Sequence, residues 1–230
     1  MVSLKEKIKR NRLVIFVIMT IRRLFRKNII KKARDNRLQI DGLMCGARIC
    51  INGKENNILI KNPKTNTGLH IFINGNHNCL IIEENCVLKN LAVWIEDDAN
   101  EVCIGKNTLI CGDSKLSCIE GSKITIGKDC MFSDGIEVRT GDSHSILSKE
   151  GKRINASKSV VIGEHVWIGQ GVTILKGVSI AKNSILGTKA VVTKSFDEEG
   201  VVLAGNPAKI VKENINWDVA RLPMEEACNG

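Results

Sequence analysis

The chain reads as an all-β protein, a parallel β-helix coiled into a triangular prism. Two observations predict this. From Ile162 the sequence runs in sixes, with an aliphatic first slot at Ile162, Ile168, Ile174, Ile180 and Leu186 and a small or branched fifth slot at Val166, Val172, Val178, Ser184 and Ala190. Aromatic residues make up only 3% of the chain and Tyr is absent, which suits a narrow interior filled with Ile, Val, Leu, Ala and Cys. A period of six is neither the 3.6 of a helix nor the bare alternation of a strand. It marks one short strand and one bend per repeat, with three repeats closing a coil and slots one and five turned inward. The second slot is small in four of the five repeats, Leu175 being the exception. Gly or Asn near the bends permits unusual backbone angles.

The first element is different. Of the 34 Lys and Arg, residues 1–40 hold 13, against 2 Asp and Glu, a balance of +11; the other 190 residues hold 21 and 23, a balance of −2. The basic character therefore belongs to the N-terminal segment, and nothing in the rest points to nucleic acid. Leu13, Phe16, Val17, Ile21, Leu24 and Phe25 fall at helical spacing, so residues 1–37 are expected to be a helix within a basic extension, 1–39. Its apolar run, Leu13 to Met19, is too short to span a bilayer. Arg22 and Arg23 follow at once and no small-residue cleavage site appears, so it is also a poor signal peptide. Two readings stand: it lies on an anionic membrane surface, or it packs on the body of an oligomer. A cytoplasmic protein is expected, at the inner membrane surface in the first case.

The coiled domain is expected over 40–212. Ile40, Ile49, Ile51, Ile58, Ile60, Leu69, Ile71 and Ile73, with bends at Asn52-Gly53, Asn56-Asn57 and Asn74-Gly75-Asn76, read as degenerate early coils. The sixes sharpen at Ile82, return at Ile104 after a slip near Ala99, and return again at Ile126. Cys86 and Cys130 occupy fifth slots and no C-x-x-C occurs among the nine cysteines, so they are expected to be reduced and buried rather than paired. At His144 an aliphatic slot is lost and a polar stretch runs to Ser159. Such a loop, 144–159, inside regular repeats is a functional candidate. Val202 to Lys209 reads as a terminal turn, and 213–230 as a short tail in which Pro223 limits any helix.

Arg139-Thr140-Gly141-Asp142-Ser143-His144-Ser145-Ile146, followed by His165-Val166-Trp167-Ile168-Gly169, resembles the polysaccharide and sialic acid O-acetyltransferases of the hexapeptide-repeat superfamily. The likeness is specific from about 126 to 212. It implies a left-handed coil, acetyl-CoA as donor without a metal, a homotrimer, and sites between neighbouring prisms. His144 is then the general base that takes a proton from the attacking hydroxyl. Asp142 would orient its imidazole, or simply form a turn. Trp167, in an outward sixth slot, would stack on the acceptor sugar or the pantetheine arm, or else pack at a trimer seam. An amide near Gly169 or Gly171 would hold the oxyanion, or both glycines serve the corner alone. Gly187 and Thr188 would line the pantetheine groove, and Thr193, Lys194 and Lys209 would meet the CoA phosphates.

The expected activity is transfer of acetyl to a hydroxyl of a surface polysaccharide sugar, in capsule or lipopolysaccharide, sialic acid included. An N-acetyltransferase on an amino sugar and a non-catalytic trimeric scaffold are the alternatives. A zinc hydratase needs three His about one metal, and the chain has only His70, His77, His144 and His165. The acceptor itself is not readable from these motifs.

Overall fold

The computed structural model describes residues 27–223. The segment 1–26, with most of the expected helix, lies outside the described residues, as does 224–230. Where the helix was expected to run on to 37, the chain is already β: Ile29–Lys32 and Arg37–Ile40 are strands paired to the next coil. Alternating Leu38 and Ile40 pack on the core, so the coiled body starts about ten residues earlier than the apolar periodicity implied. Among the described residues no helix is long and apolar enough to cross a membrane.

The body is a three-sided parallel β-helix. Sheet A takes Ile29–Lys32, Arg48–Asn52, His70–Asn74, Leu91–Glu96, Ser114–Ile119, Ile136–Arg139, Thr173–Ile174 and Val191–Val192 in spatial order. Sheet B runs from Arg37–Ile40 to Ser179–Ile180, and sheet C from Thr65–Thr67 to Val202–Ala204. The chain visits A, B and C in turn, and within the three sheets every strand pairing is parallel until Lys209–Lys212 folds back antiparallel on Val202–Ala204 and ends sheet C. That return is the expected terminal turn.

Inward columns of Ile, Val and Leu fill the prism; Ile82, Ile104, Ile110, Ile168 and Ile174 have no exposed surface. Burial of each such side chain is worth about 1.5–3 kcal/mol, and stacking identical columns gives the coil its register.

The early coils are regular, not degenerate. Arg48 pairs with His70 and Glu101 with Lys123, steps of 22 residues, whereas Thr173 pairs with Val191, a step of 18. The four additional residues lengthen sheet A and its exit: Leu91–Glu96 and Ser114–Ile119 have six residues each, Thr173–Ile174 only two. The wider A-to-B corner is closed by a buried polar ladder. Asn36, Asn56, Asn78, Asn100 and Ser122 stack there, all at most 6% exposed. Each Oδ1 accepts the backbone N–H of the residue one coil on: Asn36 from Asn56 at 3.0 Å, Asn56 from Asn78 at 2.9 Å, Asn78 from Asn100 at 2.9 Å and Asn100 from Ser122 at 3.2 Å. The ladder ends on Thr140, whose Oγ1 lies 2.7 Å from Ser122 Oγ and accepts from Ile119 N at 3.0 Å.

In the sixes from Ile162 the unusual backbone angles expected of Gly and Asn at the bends are confined to one slot. Left-handed backbone angles sit in slot four, at His165, Gly171, Gly177, Asn183 and Lys189. The slot-two glycines do not need them. They are small because coils nearly touch: a Cβ on Gly127 would lie 2.6 Å from Glu164 N, and one on Gly163 2.7 Å from Lys182 N.

Cys86 and Cys130 are buried in fifth slots as predicted, along with Cys45 and Cys118. Burial pushes the Cys86 thiol up to about 11 and the Cys130 thiol up to about 12, so both stay protonated and unreactive at neutral pH. Cys50, Cys79 and Cys103 instead face outward and are half-buried, and Cys111 is exposed. All eight described cysteines are free.

The ladder sets a stability test. In Asn78→Ala the Asn100 amide loses its acceptor inside the corner, at about 1–3 kcal/mol for a buried unsatisfied group. The urea midpoint should fall accordingly; an unchanged midpoint would show that the ladder carries no net stabilisation.

Candidate functional site

The loop that breaks the repeat leaves the same A-to-B corner directly above Thr140. Ile126 is in register with Ile162, 36 residues on, twice the 18-residue step of the later coils. A full coil's length of chain has been diverted outward. Ser143, at φ 63, turns the chain, and His144 stands exposed beside it.

Asn155 organises this loop. It is 6% exposed, its Nδ2 donates to Asp142 Oδ2 at 2.9 Å and to His144 O at 2.7 Å, and its Oδ1 accepts from Ile146 N at 2.8 Å. Lys176, on the next coil, donates to Asp142 Oδ2 and, at 3.1 Å, to Asn155 O. Arg153 pairs with Glu120 at 2.6 Å, and the same carboxylate takes Ser157 Oγ at 2.9 Å. The hydrogen bond from Lys176, followed by that from Asn155, holds the Asp142 carboxyl below the usual carboxylate range. Asp142 Oδ2 accepts from both Lys176 and Asn155, and through Asn155, which also donates to His144 O, it fixes the backbone on which His144 stands. His144 N also donates to Asp142 O at 2.8 Å.

Trp167 occupies the outer face of sheet C, between Met131 and Ile185. It is half-buried, and its indole nitrogen is covered yet has no hydrogen-bond partner. Gly169, Gly187 and Thr188 lie at the adjoining C-to-A corner, and Lys209 begins the antiparallel strand on sheet C. Thr193 and Lys194 lie instead beyond the sheet A strand Val191–Val192, at the A-to-B corner; Lys194 Nζ stands 5.4 Å over the Phe196 ring. The amides of the two glycines themselves bond within the coil, Gly169 N to Leu186 O at 2.8 Å and Gly171 N to Asp134 O at 2.8 Å.

The predicted residues thus form two groups. His144 and Asp142 share the A-to-B corner with Thr193 and Lys194, two coils further on; Trp167, Gly169, Gly187, Thr188 and Lys209 lie on or beside sheet C. In a three-sided prism that corner is the vertex opposite sheet C, so one chain does not bring the groups together. Two grooves of about 520 and about 490 Å³ run along the outer face of sheet A, lined by His70, Lys115, Phe72 and Trp94 among others, and neither contains a predicted site residue. Among the described residues no three His, Cys, Asp or Glu converge as metal ligands.

Comparison with known proteins agrees with this architecture. Residues 159–194 match the family model "Bacterial transferase hexapeptide (six repeats)". The crystal structure of the polysialic acid O-acetyltransferase OatWY superposes with a TM-score of 0.80 at 36% identity, covering 85% of this chain and 93% of that one. The polysialic-acid-specific acetyltransferase NeuO superposes with a TM-score of 0.62 at 31% identity, covering 87% and 90%. The chain belongs to the left-handed β-helix family of hexapeptide-repeat acyltransferases. Among curated relatives, the polysialic acid O-acetyltransferase of Neisseria meningitidis is 42% identical over 107 residues, 46% of this chain and 50% of that protein. The aligned stretch thus spans half of that relative.

Within this family frame, sequence reasoning missed Asn155, Lys176 and Trp217. Asn155 sits in an aperiodic loop, and Lys176 occupies an ordinary outward third slot. Trp217 lies in the tail, where a rare Trp was the one available signal.

The loop anchor has a pH signature. A carboxyl whose folded pKa is depressed stabilises above its unfolded value, about 3.9 for Asp, and that contribution is lost as pH falls through the folded one. Lys176→Met should raise the Asp142 pKa and shift loop loosening to higher pH. Carboxyl titration by NMR, with proteolysis across 144–159, reads both; an unmoved Asp142 titration would show that Lys176 is not its main partner.

Proposed function

We propose that this protein transfers an acetyl group from acetyl-CoA to a hydroxyl of a surface polysaccharide sugar, as a homotrimer whose sites each join two prisms. The observation that carries this is the separation of the two residue groups on opposite sides of one prism. A second copy removes the separation if its sheet C faces the first copy's loop. The surfaces suit such a contact. Beside His144 the loop exposes Ile146 at 54%, Leu147 at 56% and Ile154 at 64%. The outer face of sheet C presents a half-buried row of Val87, Leu109, Met131, Trp167, Ile185 and Val202. Apolar loop against apolar row is what a stable subunit contact requires.

In the mechanism, His144 removes the proton as the sugar oxygen attacks the thioester carbonyl. The tetrahedral intermediate then collapses, the carbon–sulfur bond breaks, and the imidazolium returns its proton to the departing CoA sulfur. Asp142, through Lys176 and Asn155, keeps the backbone of His144 in place. Trp167 of the neighbouring copy forms a wall of the site, with Gly187 and Thr188 beside the pantetheine arm. Lys194 of one copy and Lys209 of the other offer point charges for the CoA phosphates. A sialic acid polymer is the first acceptor to try, since both solved structures described above are named for it. CoA binding separates this reading from a scaffold, and product analysis separates O- from N-acetylation.

Two measurements test the proposal. Losing a general base lowers turnover by about 10²–10⁴-fold, so His144→Ala should depress kcat to that extent while remaining trimeric; a fall of only a fewfold would place the base elsewhere. Mixed trimers of His144→Ala and Trp167→Ala subunits should regain activity in about one site in four on random assembly, because each copy supplies what the other lacks. Mixtures as inactive as the parents would mean that both residues act from the same chain.

A further inference from the structure

The tail beyond the coils buries one side chain among its described residues. Trp217 is 8% exposed, although it follows the last strand, Lys209–Lys212, and closes no coil. Ile215 N donates to Gly200 O at 2.9 Å, which fixes the approach. The Trp217 ring then lies flat on His165, with centroids 4.3 Å apart and planes 8° apart. Its Nε1 donates to His165 O at 2.8 Å. His165 is itself held, with Nδ1 3.1 Å from Asn183 Oδ1. The same indole meets Trp167 with ring centroids 6.0 Å apart and planes tilted by 44°, an arrangement that aromatic pairs favour.

These contacts place a fixed aromatic ring against Trp167, whose covered N–H has no protein partner. An indole on an open sheet face turns such a donor toward water, because a buried unpaired N–H is unfavourable. Here Met131 and Ile185 flank Trp167 along the sheet, and Trp217 blocks one further side. We infer that Trp217 is a positioning residue for the acyl-transfer site: the tail returns to hold the Trp167 ring in one orientation as a wall of that site. The inference rests on the reading of Trp167 as a wall of the site.

Two readouts on the full-length trimer test it. The first needs no activity. The chain has three Trp, so three indole N–H resonances are expected, and that of Trp167 is assigned by its loss in Trp167→Ala. In Trp217→Ala this resonance should shift and its exchange with solvent should quicken, whereas Trp217→Phe, which keeps a ring over His165, should largely preserve it. An unchanged Trp167 resonance in Trp217→Ala overturns the inference whatever the enzyme does. The second is a double-mutant cycle on CoA affinity by calorimetry and on KM for the glycan. Trp217→Ala should weaken one of them about tenfold in the wild-type background and have no further effect in Trp167→Ala, since coupled neighbours are not additive. Independent, multiplying losses would reduce Trp217 to an anchor of the tail and overturn the inference. A quickened resonance in a protein that transfers no acetyl group would refute the proposed function and leave the positioning of Trp167 intact.

Discussion

The structure depends on how the A-to-B corner is closed. In a coil of six-residue sides, an aliphatic side chain and a tight bend suffice. The early coils from Arg48 on carry four more residues each, and their wider corner would leave backbone amides buried without acceptors. The Asn36–Asn56–Asn78–Asn100–Ser122 column supplies those acceptors one coil after another. It stops at Thr140, and there the chain is released outward as the loop that carries His144. The polar column and the candidate base are therefore consecutive features of one corner.

This arrangement explains why the loop is ordered although it packs on no sheet. It rises from a ladder that fixes its first residue, and Lys176 and Glu120 from the flanking coils tie down both sides. The charges are spent on placement. Asp142 is ion-paired to Lys176 through one carboxylate oxygen, and His144 projects as an exposed residue from the loop it anchors. Such a ring abstracts a proton from a substrate only if something else shapes the cleft. In the proposed trimer the other wall is a second copy of the same prism, whose apolar sheet C row faces the apolar residues of the loop.

Much of this was legible in the sequence. The slot-one and slot-five columns gave the prism, the loss of an aliphatic residue at His144 marked the loop, and the sixth-slot position of Trp167 placed its ring outside. What escaped notice has physical reasons. A six-residue strand such as Leu91–Glu96 alternates with a period of two, which blurs the six-residue pattern and hid the 22-residue coil. The smallness of slot two was plain but not its cause, which at Gly127 and Gly163 is the next coil's backbone. The strands at Ile29–Lys32 and Arg37–Ile40 are short and basic, and they continue an apolar-basic pattern indistinguishable from the helical one before it. Contacts made between distant coils, such as Lys176 with Asp142 or Trp217 with His165, have no local signature at all.

The claim at the centre of this account is that His144 and Trp167 meet only across a subunit boundary. An experimental structure of the trimer with CoA bound tests it most directly. The account predicts the CoA thiol lying between His144 of one prism and Trp167 of its neighbour, with no CoA molecule touching both residues of a single chain. A thiol bound against both rings of one prism, or at a site that contains neither, would contradict it.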